Sequence, residues 1–119
     1  MSQTPRLFPG GLSVSRTIGD IYAKDPLLGG NPKVTIATPD IYHYTFNQDD
    51  RLFLLVTDGI IDVLSESQII QTVNSSYQDA KKLRLSKQQM ASNIANDLVN
   101  SAFNVSTSTD NLSCVVVVL

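Results

Sequence analysis

The chain closes on an apolar run, Cys114-Val-Val-Val-Val-Leu119, which restricts the fold more than any other segment. β-Branched side chains favour the pleated backbone of a strand, and this run is far too short to cross a bilayer. Residues 112–119 are therefore predicted to form a β-strand, preceded by a polar loop over 104–109. Because no polar residue interrupts the run, we expect a strand that is covered on both faces.

Two helices are predicted before that strand. Ser65 and Gln68 have the spacing of a capping box, which starts a helix over 66–77. Ser86 and Gln89 repeat the spacing and open a longer helix, in which apolar residues recur every four positions and indicate a buried face. The recurring residues are Met90, Ala91, Ile94, Ala95, Leu98, Val99, Ala102 and Phe103.

Short β-rich segments separated by Gly, Pro, Asn and Asp dominate the first half of the chain. The segments at 41–46 and 51–56 are predicted to pair as an antiparallel hairpin across a polar turn. Strands, then two helices, then a strand indicate an α+β fold, and the absence of a linker or repeat indicates a single domain over 1–119. The other two predicted strands cover residues 11–16 and 34–38.

Composition and charge exclude several classes of protein. A hydrophobic content of 42% is ordinary for a globular chain, and a net charge of −2 gives no reason to expect nucleic acid or an anionic membrane as a partner. The one basic cluster is interpreted as a solvated loop between the two helices. It contains Lys81, Lys82, Arg84 and Lys87.

Cysteine usage and the N-terminal residues bear on the compartment. Cys114 is the single cysteine, so no intrachain disulfide can form, and its place among valines is typical of a small buried hydrophobe. The N-terminal residues lack the apolar stretch of a signal peptide. The expected location is intracellular, cytoplasmic or nuclear.

Two aspartates at strand ends are the best candidates for chemistry. Asp58 follows the apolar segment Leu52–Val56, and Asp110 precedes the final strand. Adjacent strands would bring both carboxylates to one sheet edge, where two like charges need a cation between them or a shared proton. Asp62 would face the same ion if the segment after Asp58 is helical, although a solvated acid at a helix end explains it equally well.

The segment around Arg16 is the third dense group of polar residues. Arg16 either binds a phosphate through its planar guanidinium group or pairs with Asp20 to hold a loop, and we favour the pairing. His43 is the one histidine and is interpreted as a surface strand residue. No nucleophile and base can be combined into a catalytic set, so no catalytic residue is assigned.

Three segments, in this order, resemble the C-terminal signature motifs of the metal-dependent type 2C protein serine/threonine phosphatases. They are Gly11-Leu-Ser-Val-Ser-Arg-Thr-Ile-Gly-Asp20, Leu52-Phe-Leu-Leu-Val-Thr-Asp-Gly-Ile-Ile-Asp-Val63 and Asp110-Asn-Leu-Ser-Cys-Val-Val-Val-Val118. The segment Thr38-Pro-Asp-Ile41 also fits that family. The resemblance extends over nearly the whole chain from Gly10 onward.

The resemblance implies the C-terminal portion of a mainly antiparallel β-sandwich flanked by helices in α-β-β-α layers. It also implies a binuclear Mg²⁺ or Mn²⁺ centre, whose bound water attacks phosphoserine or phosphothreonine of a protein substrate. Asp58 and Asp110 correspond to metal ligands, and Asp62 to the ligand of a weaker third metal. The residues expected to shape the site are Arg16, Gly19, Asp20, Gly59 and Asn111.

The same resemblance implies an incomplete site. The family's other ligands, a glutamate with an aspartate and an Asp-Gly followed by histidine, lie in the N-terminal half of its domain, and no segment of this sequence corresponds to them. The one glutamate, Glu66, lies in a predicted helix cap, and the one Asp-Gly is Asp58-Gly59. We therefore expect a partial domain that is inactive alone and is completed by the N-terminal half, or that forms a homodimer or exchanges strands. The alternatives are a non-catalytic binding or scaffold module and, less favoured, an unrelated Mg²⁺ enzyme.

Overall fold

A computed structural model of the protein describes residues 5–105 and 110–119. The loop predicted over 104–109 lies outside these residues except for its first two positions, which end a helix. The chain divides into two compact units, one that ends at Tyr44 and one that extends from Thr45 to Leu119.

The first unit contains little regular structure. Helix α1 covers Ile21–Lys24, and a 3₁₀ turn covers Pro26–Leu28. The Lys24 ammonium group donates to the carbonyl oxygens of Thr17 and Gly19, each at 2.6 Å, and so closes the loop before α1. Backbone hydrogen bonds also join Ile36 of this unit to Ser15 and Thr17, about twenty residues earlier, at 3.0 Å each.

The strands predicted over 11–16 and 34–38 are wrong as continuous elements. Isolated bridges form instead, Leu7 with Leu12 and Arg16 with Ile36. The segment 41–46 is in no strand either, so the predicted hairpin with 51–56 does not form. Alternation gives a segment the capacity to pair, but a strand also needs a neighbour that continues the ladder.

The second unit is a two-stranded antiparallel sheet covered by two helices. Strand β1 covers Leu52–Val56 and pairs with β2, Cys114–Val118, in a register that places Leu52 opposite Val118 and Val56 opposite Cys114. The short helix α2 spans Asp58–Ile61 directly after β1. Mixed helix and antiparallel sheet agree with the predicted α+β class. Because the described residues contain a single two-stranded sheet, a β-sandwich stays a prediction.

Helices α3 and α4 begin where their sequence caps predict. Helix α3 covers Glu66–Lys82, five residues beyond the predicted end at Tyr77, and its capping box is formed in both directions. Helix α4 covers Lys87–Val105. At its start, the Gln89 side-chain oxygen accepts the Ser86 backbone N–H at 3.0 Å. No helix within the described ranges is long and apolar enough to span a membrane.

The core lies where α3, α4 and the inner face of the sheet meet. Of the apolar stripe predicted for α4, one residue per turn is buried, Phe103 is exposed, and the other three residues are half-buried. The buried residues are Met90, Ile94, Leu98 and Ala102, and the half-buried ones are Ala91, Ala95 and Val99. The fully or nearly fully buried members are Ile60, Leu64, Val73, Ala80, Met90, Ile94, Leu98 and Ala102.

The outer face of the sheet is exposed, which corrects the expectation of a final strand covered on both faces. Burial alternates along both strands. Leu55 and Val115 are 54% and 56% exposed on the outer face, whereas Leu54 and Val116 pack against the core. The uninterrupted apolar run therefore has helices on one side and no covering layer on the other among the described residues.

Candidate functional site

The candidate site lies at the end of the sheet where β1 ends and β2 begins. It comprises residues 57–59 and 110–113, which are together called the joint. The antiparallel register ends at Val56 opposite Cys114, and the next residue, Thr57, continues it by donating its backbone N–H to the Ser113 carbonyl oxygen at 3.0 Å. Asp58 follows Thr57, and Asp110 lies three positions before Ser113. Strand pairing thus places the two aspartates predicted as ligands at the same end of the sheet, Asp58 after β1 and Asp110 before β2.

Both aspartates are exposed and share one local arrangement. The Asp58 carboxylate accepts the backbone N–H of Gly59 at 3.0 Å, and the Asp110 carboxylate accepts that of Asn111 at 2.8 Å. Such bonds to a neighbouring amide limit the orientations of each carboxylate. Asn111 therefore contacts Asp110 through its backbone, while a role for its side chain stays a prediction.

Gly59 occupies the most crowded position of the joint. It is buried, and a β-carbon built on it would lie 2.3 Å from the Asn111 carbonyl oxygen. Only a residue without a β-carbon allows α2 to approach the segment after Asp110 so closely. The structure thus shows that Gly59 packs closely against Asn111, while its role in shaping a metal site stays a prediction.

Asp62 lies one helical turn after Asp58. It caps the C-terminus of α2, and its backbone N–H donates to the Asp58 carbonyl oxygen at 2.8 Å. The segment between the two acids is therefore helical as required, although the Asp62 side chain is exposed.

The donors suit a divalent cation in chemistry but not in number. Carboxylate oxygens are the ligands that Mg²⁺ and Mn²⁺ prefer. Within residues 5–105 and 110–119, however, no group of three or more His, Cys, Asp or Glu side chains is arranged to hold a metal ion. The described residues therefore do not fit a complete binuclear centre, and the role of Asp58, Asp62 and Asp110 as metal ligands stays a prediction.

Arg16, Gly19 and Asp20 belong to the first unit and shape its loop. The Arg16 guanidinium pairs with the Asp40 carboxylate at 3.1 Å and donates to the Thr38 carbonyl oxygen at 2.7 Å, so the expected pairing with Asp20 is wrong. Gly19 and Asp20 have φ angles of 81° and 47°, and they form the turn before α1. The sequence analysis could have considered Asp40 as the partner of Arg16, because it is the acidic residue of the Thr38-Pro-Asp-Ile41 segment.

Thr57 is the residue of the joint that sequence reasoning missed. Its hydroxyl accepts the Ser113 backbone N–H at 3.1 Å and lies 3.2 Å from the Asn111 carbonyl oxygen, to which it donates. The position of a hydroxyl residue between an apolar strand and Asp-Gly was the sequence feature that could have singled out Thr57. Its partners lie more than fifty residues away in sequence, so the fold alone reveals them.

Cys114 is a packed thiol next to the joint. It is half-buried, and its sulfur lies 3.6 Å from the Ala95 carbonyl oxygen. Burial raises the pKa of the Cys114 thiol above its ordinary value. These features agree with the predicted role as a small core residue rather than a nucleophile.

Comparisons with known proteins place these motifs in a family. The family model described as protein phosphatase 2C matches residues 3–112. The chain is 26% identical to "Probable protein phosphatase 2C 4" of Paramecium tetraurelia over 92% of the chain and 37% of that relative. It is 27% identical to "Protein phosphatase 2C 1" of the same organism over the same shares of the two chains.

A further relative is "Protein phosphatase 2C homolog 2" of Schizosaccharomyces pombe, which is 37% identical over 54% of the chain and 18% of that relative. No solved structure matches the chain. The chain spans 37% of the length of the Paramecium relatives named above. With a family model matched over most of its residues, the chain belongs to the protein phosphatase 2C family.

Proposed function

We propose that the chain is the C-terminal part of a Mg²⁺- or Mn²⁺-dependent protein serine/threonine phosphatase domain. The observation that carries this proposal is the pairing of β1 with β2. It continues through Thr57 and Ser113 and brings the segments that carry Asp58 and Asp110 to the same end of the sheet. Family membership supports a protein phosphatase. The substrate class that we propose is a protein carrying phosphoserine or phosphothreonine.

Asp58 and Asp110 are proposed as metal ligands, and Asp62 as a ligand of a weaker site. The metal ions would supply the activation of water, while the residues of this chain would help to hold them. Because the ligand set is incomplete, the 119-residue chain by itself is proposed to be inactive. The intracellular location, cytoplasmic or nuclear, stays a prediction.

The outer face of the sheet supports completion by the rest of a phosphatase domain. Phe53 is 41% exposed and Val117 is 46% exposed, beside Leu55 and Val115 on the same face. An apolar sheet face of this kind normally packs against a second layer. Since the chain spans 37% of its Paramecium relatives, we propose the remaining part of such a domain as that layer.

The test is phosphatase activity of the full-length gene product on a phosphothreonine peptide with Mn²⁺. Asp58→Asn and Asp110→Asn should each lower activity strongly, because each removes a charged ligand. Asp97→Asn, at an exposed position on α4, is the matched control and should leave activity unchanged. Full activity in both site variants would disprove the assignment of these ligands.

A non-catalytic binding or scaffold module is the second candidate. It is favoured by the lack of a group of three metal-binding side chains in the described part of the chain. Calorimetric titration of the full-length product with Mn²⁺ separates the two functions. Two tight sites would support the phosphatase, whereas no binding would support the scaffold.

A further inference from the structure

A groove of about 510 Å³ lies between helices α3 and α4. Its lining residues all come from these two helices and from Leu83, directly after α3, so it shares no residue with the joint or the sheet. Apart from Leu83 and Ala80, every lining side chain carries an amide, hydroxyl or carboxylate group. Pockets for apolar ligands are lined mainly by hydrophobic side chains, so this groove suits a polar or charged ligand.

Two buried residues of α3, Ser76 and Ala80, lie on consecutive turns of the groove and are 8% and 2% exposed. Their small side chains leave space between the helices, and alanine alone would serve that purpose. The Ser76 hydroxyl, however, makes no hydrogen bond with any residue that the structure describes. Because a buried hydroxyl without a partner is unfavourable, Ser76 points to a ligand group that binds it within the groove.

The charged side chains that line the groove are all negative. Asp79 on α3 and Asp97 on α4 line it, and no lysine, arginine or histidine does. Asp79 accepts a hydrogen bond from Lys82 at 2.8 Å, in an exposed pair of the kind that contributes little. Asp97 forms no ion pair within residues 5–105 and 110–119. The ligand that complements this surface is therefore a cation.

Asp97 belongs to a row of asparagines along α4. Asn93, Asn100 and Asn104 also line the groove, and steps of four, three and four residues place the row on one side of the helix. Each amide offers a carbonyl oxygen as an acceptor beside the carboxylate. A guanidinium group has five N–H donors in one plane, whereas an ammonium group has three at one point. Oxygen acceptors spread around a carboxylate therefore favour arginine over lysine.

We propose that the groove is a docking site for an arginine-bearing segment of a partner protein. The guanidinium group binds the Asp97 carboxylate and donates to the Ser76 hydroxyl oxygen, while the asparagine amides of α4 bind peptide groups of the segment. The inference goes beyond the proposed phosphatase function, because no lining residue belongs to the joint. Hydrolysis of a short phosphothreonine peptide does not require the groove, so Asp97→Asn remains a suitable control for that reaction.

The experiment measures binding of a fluorescein-labelled glycine peptide with two arginines to the full-length gene product, by fluorescence anisotropy at low salt. A matched peptide carries citrulline, which replaces the guanidinium by an uncharged group of nearly the same shape. The arginine peptide should bind at least about 10-fold more tightly, because charge-assisted hydrogen bonds are stronger than neutral ones. Equal affinity of the two peptides, or no binding of the arginine peptide, would overturn the inference.

Acid variants locate the binding. Asp97→Asn should lower the affinity for the arginine peptide by about 3- to 10-fold, the effect of a partly exposed charge pair. Glu66→Gln removes an exposed acid of α3 that does not line the groove, and it should bind as the unaltered protein does. Equal losses in the two variants would show that the peptide responds to net charge alone, and the docking site would be wrong.

Ser76→Ala separates a role in binding from a role in the fold. Affinity for the arginine peptide should fall by about 2- to 10-fold, since one hydrogen bond is lost. The urea midpoint of the same variant should stay unchanged or rise, because the hydroxyl has no partner among the described residues. Unchanged affinity would overturn the inference. A lower midpoint would do so as well, because the hydroxyl would then serve the fold.

Discussion

Gly59 packs so closely against Asn111 that a β-carbon on the glycine would lie 2.3 Å from the Asn111 carbonyl oxygen. The obstructing atom belongs to the backbone, so it cannot move aside by a side-chain rotation. This contact connects the start of α2 to the segment that carries Asp110, and it is therefore sensitive to a single added methyl group.

Gly59→Ala should lower the free energy of unfolding by roughly 1–3 kcal/mol, the usual cost of inserting a carbon into a tightly packed position. The higher helix propensity of alanine offsets at most about 1 kcal/mol of that cost. Urea denaturation of the full-length product is the measurement, with Ser67→Ala at an exposed position of α3 as the control. Equal stability of Gly59→Ala and the unaltered protein would show that the joint relaxes freely.

Leu98→Ala should destabilise the protein much more than Leu83→Ala. Leu98 is 0% exposed in the core between α4 and its neighbours, whereas Leu83 is 70% exposed after α3. Truncation of a buried leucine leaves a cavity and typically costs about 2–5 kcal/mol. Chemical denaturation of both variants checks this, and similar midpoints would contradict the packing of α4 described above.

The isolated 119-residue chain should self-associate through the outer face of its sheet. That face exposes Leu55, Val115 and Val117, and contiguous apolar surface of this kind drives association. Size-exclusion chromatography with light scattering measures the state. Val115→Lys with Val117→Lys should shift the chain towards a monomer, and Leu83→Lys, at an exposed position outside the sheet, should not. A stable monomer of the unaltered chain would refute the prediction.

Cys114 should contribute stability that is lost at high pH. Burial raises the pKa of its thiol in the folded state, so that state keeps the proton at pH values where the unfolded chain has lost it. The contribution is complete below the unfolded pKa and disappears as pH rises through the folded one. Urea midpoints at neutral and alkaline pH, for the protein and for Cys114→Ala, should show a smaller alkaline loss in the variant. Parallel losses would contradict this.

Local signals in the sequence were sufficient to predict the two long helices, α3 and α4, but not the one-turn helix α1. The Ser65 and Ser86 caps predicted where α3 and α4 begin, because a cap satisfies backbone N–H groups within the same turn. The four-residue apolar repeat predicted the buried face of α4, because helix geometry brings those positions onto one side. The end of α3 was predicted five residues too early, because the predicted apolar face stopped at Tyr77, whereas the helix continues to Lys82 and buries Ala80.

The pairing of the strands and the contacts at the joint could not be predicted from the sequence and are known only from the tertiary structure. The sequence by itself determined that 51–56 and 112–119 would be strands and that Asp58 and Asp110 stand at their ends. Only the tertiary structure decided that β1 pairs with β2 rather than with 41–46, that the outer sheet face is exposed, and that Thr57 bonds to Asn111 and Ser113. Capping and periodicity act within a few residues, whereas strand pairing depends on contacts between segments far apart in the chain.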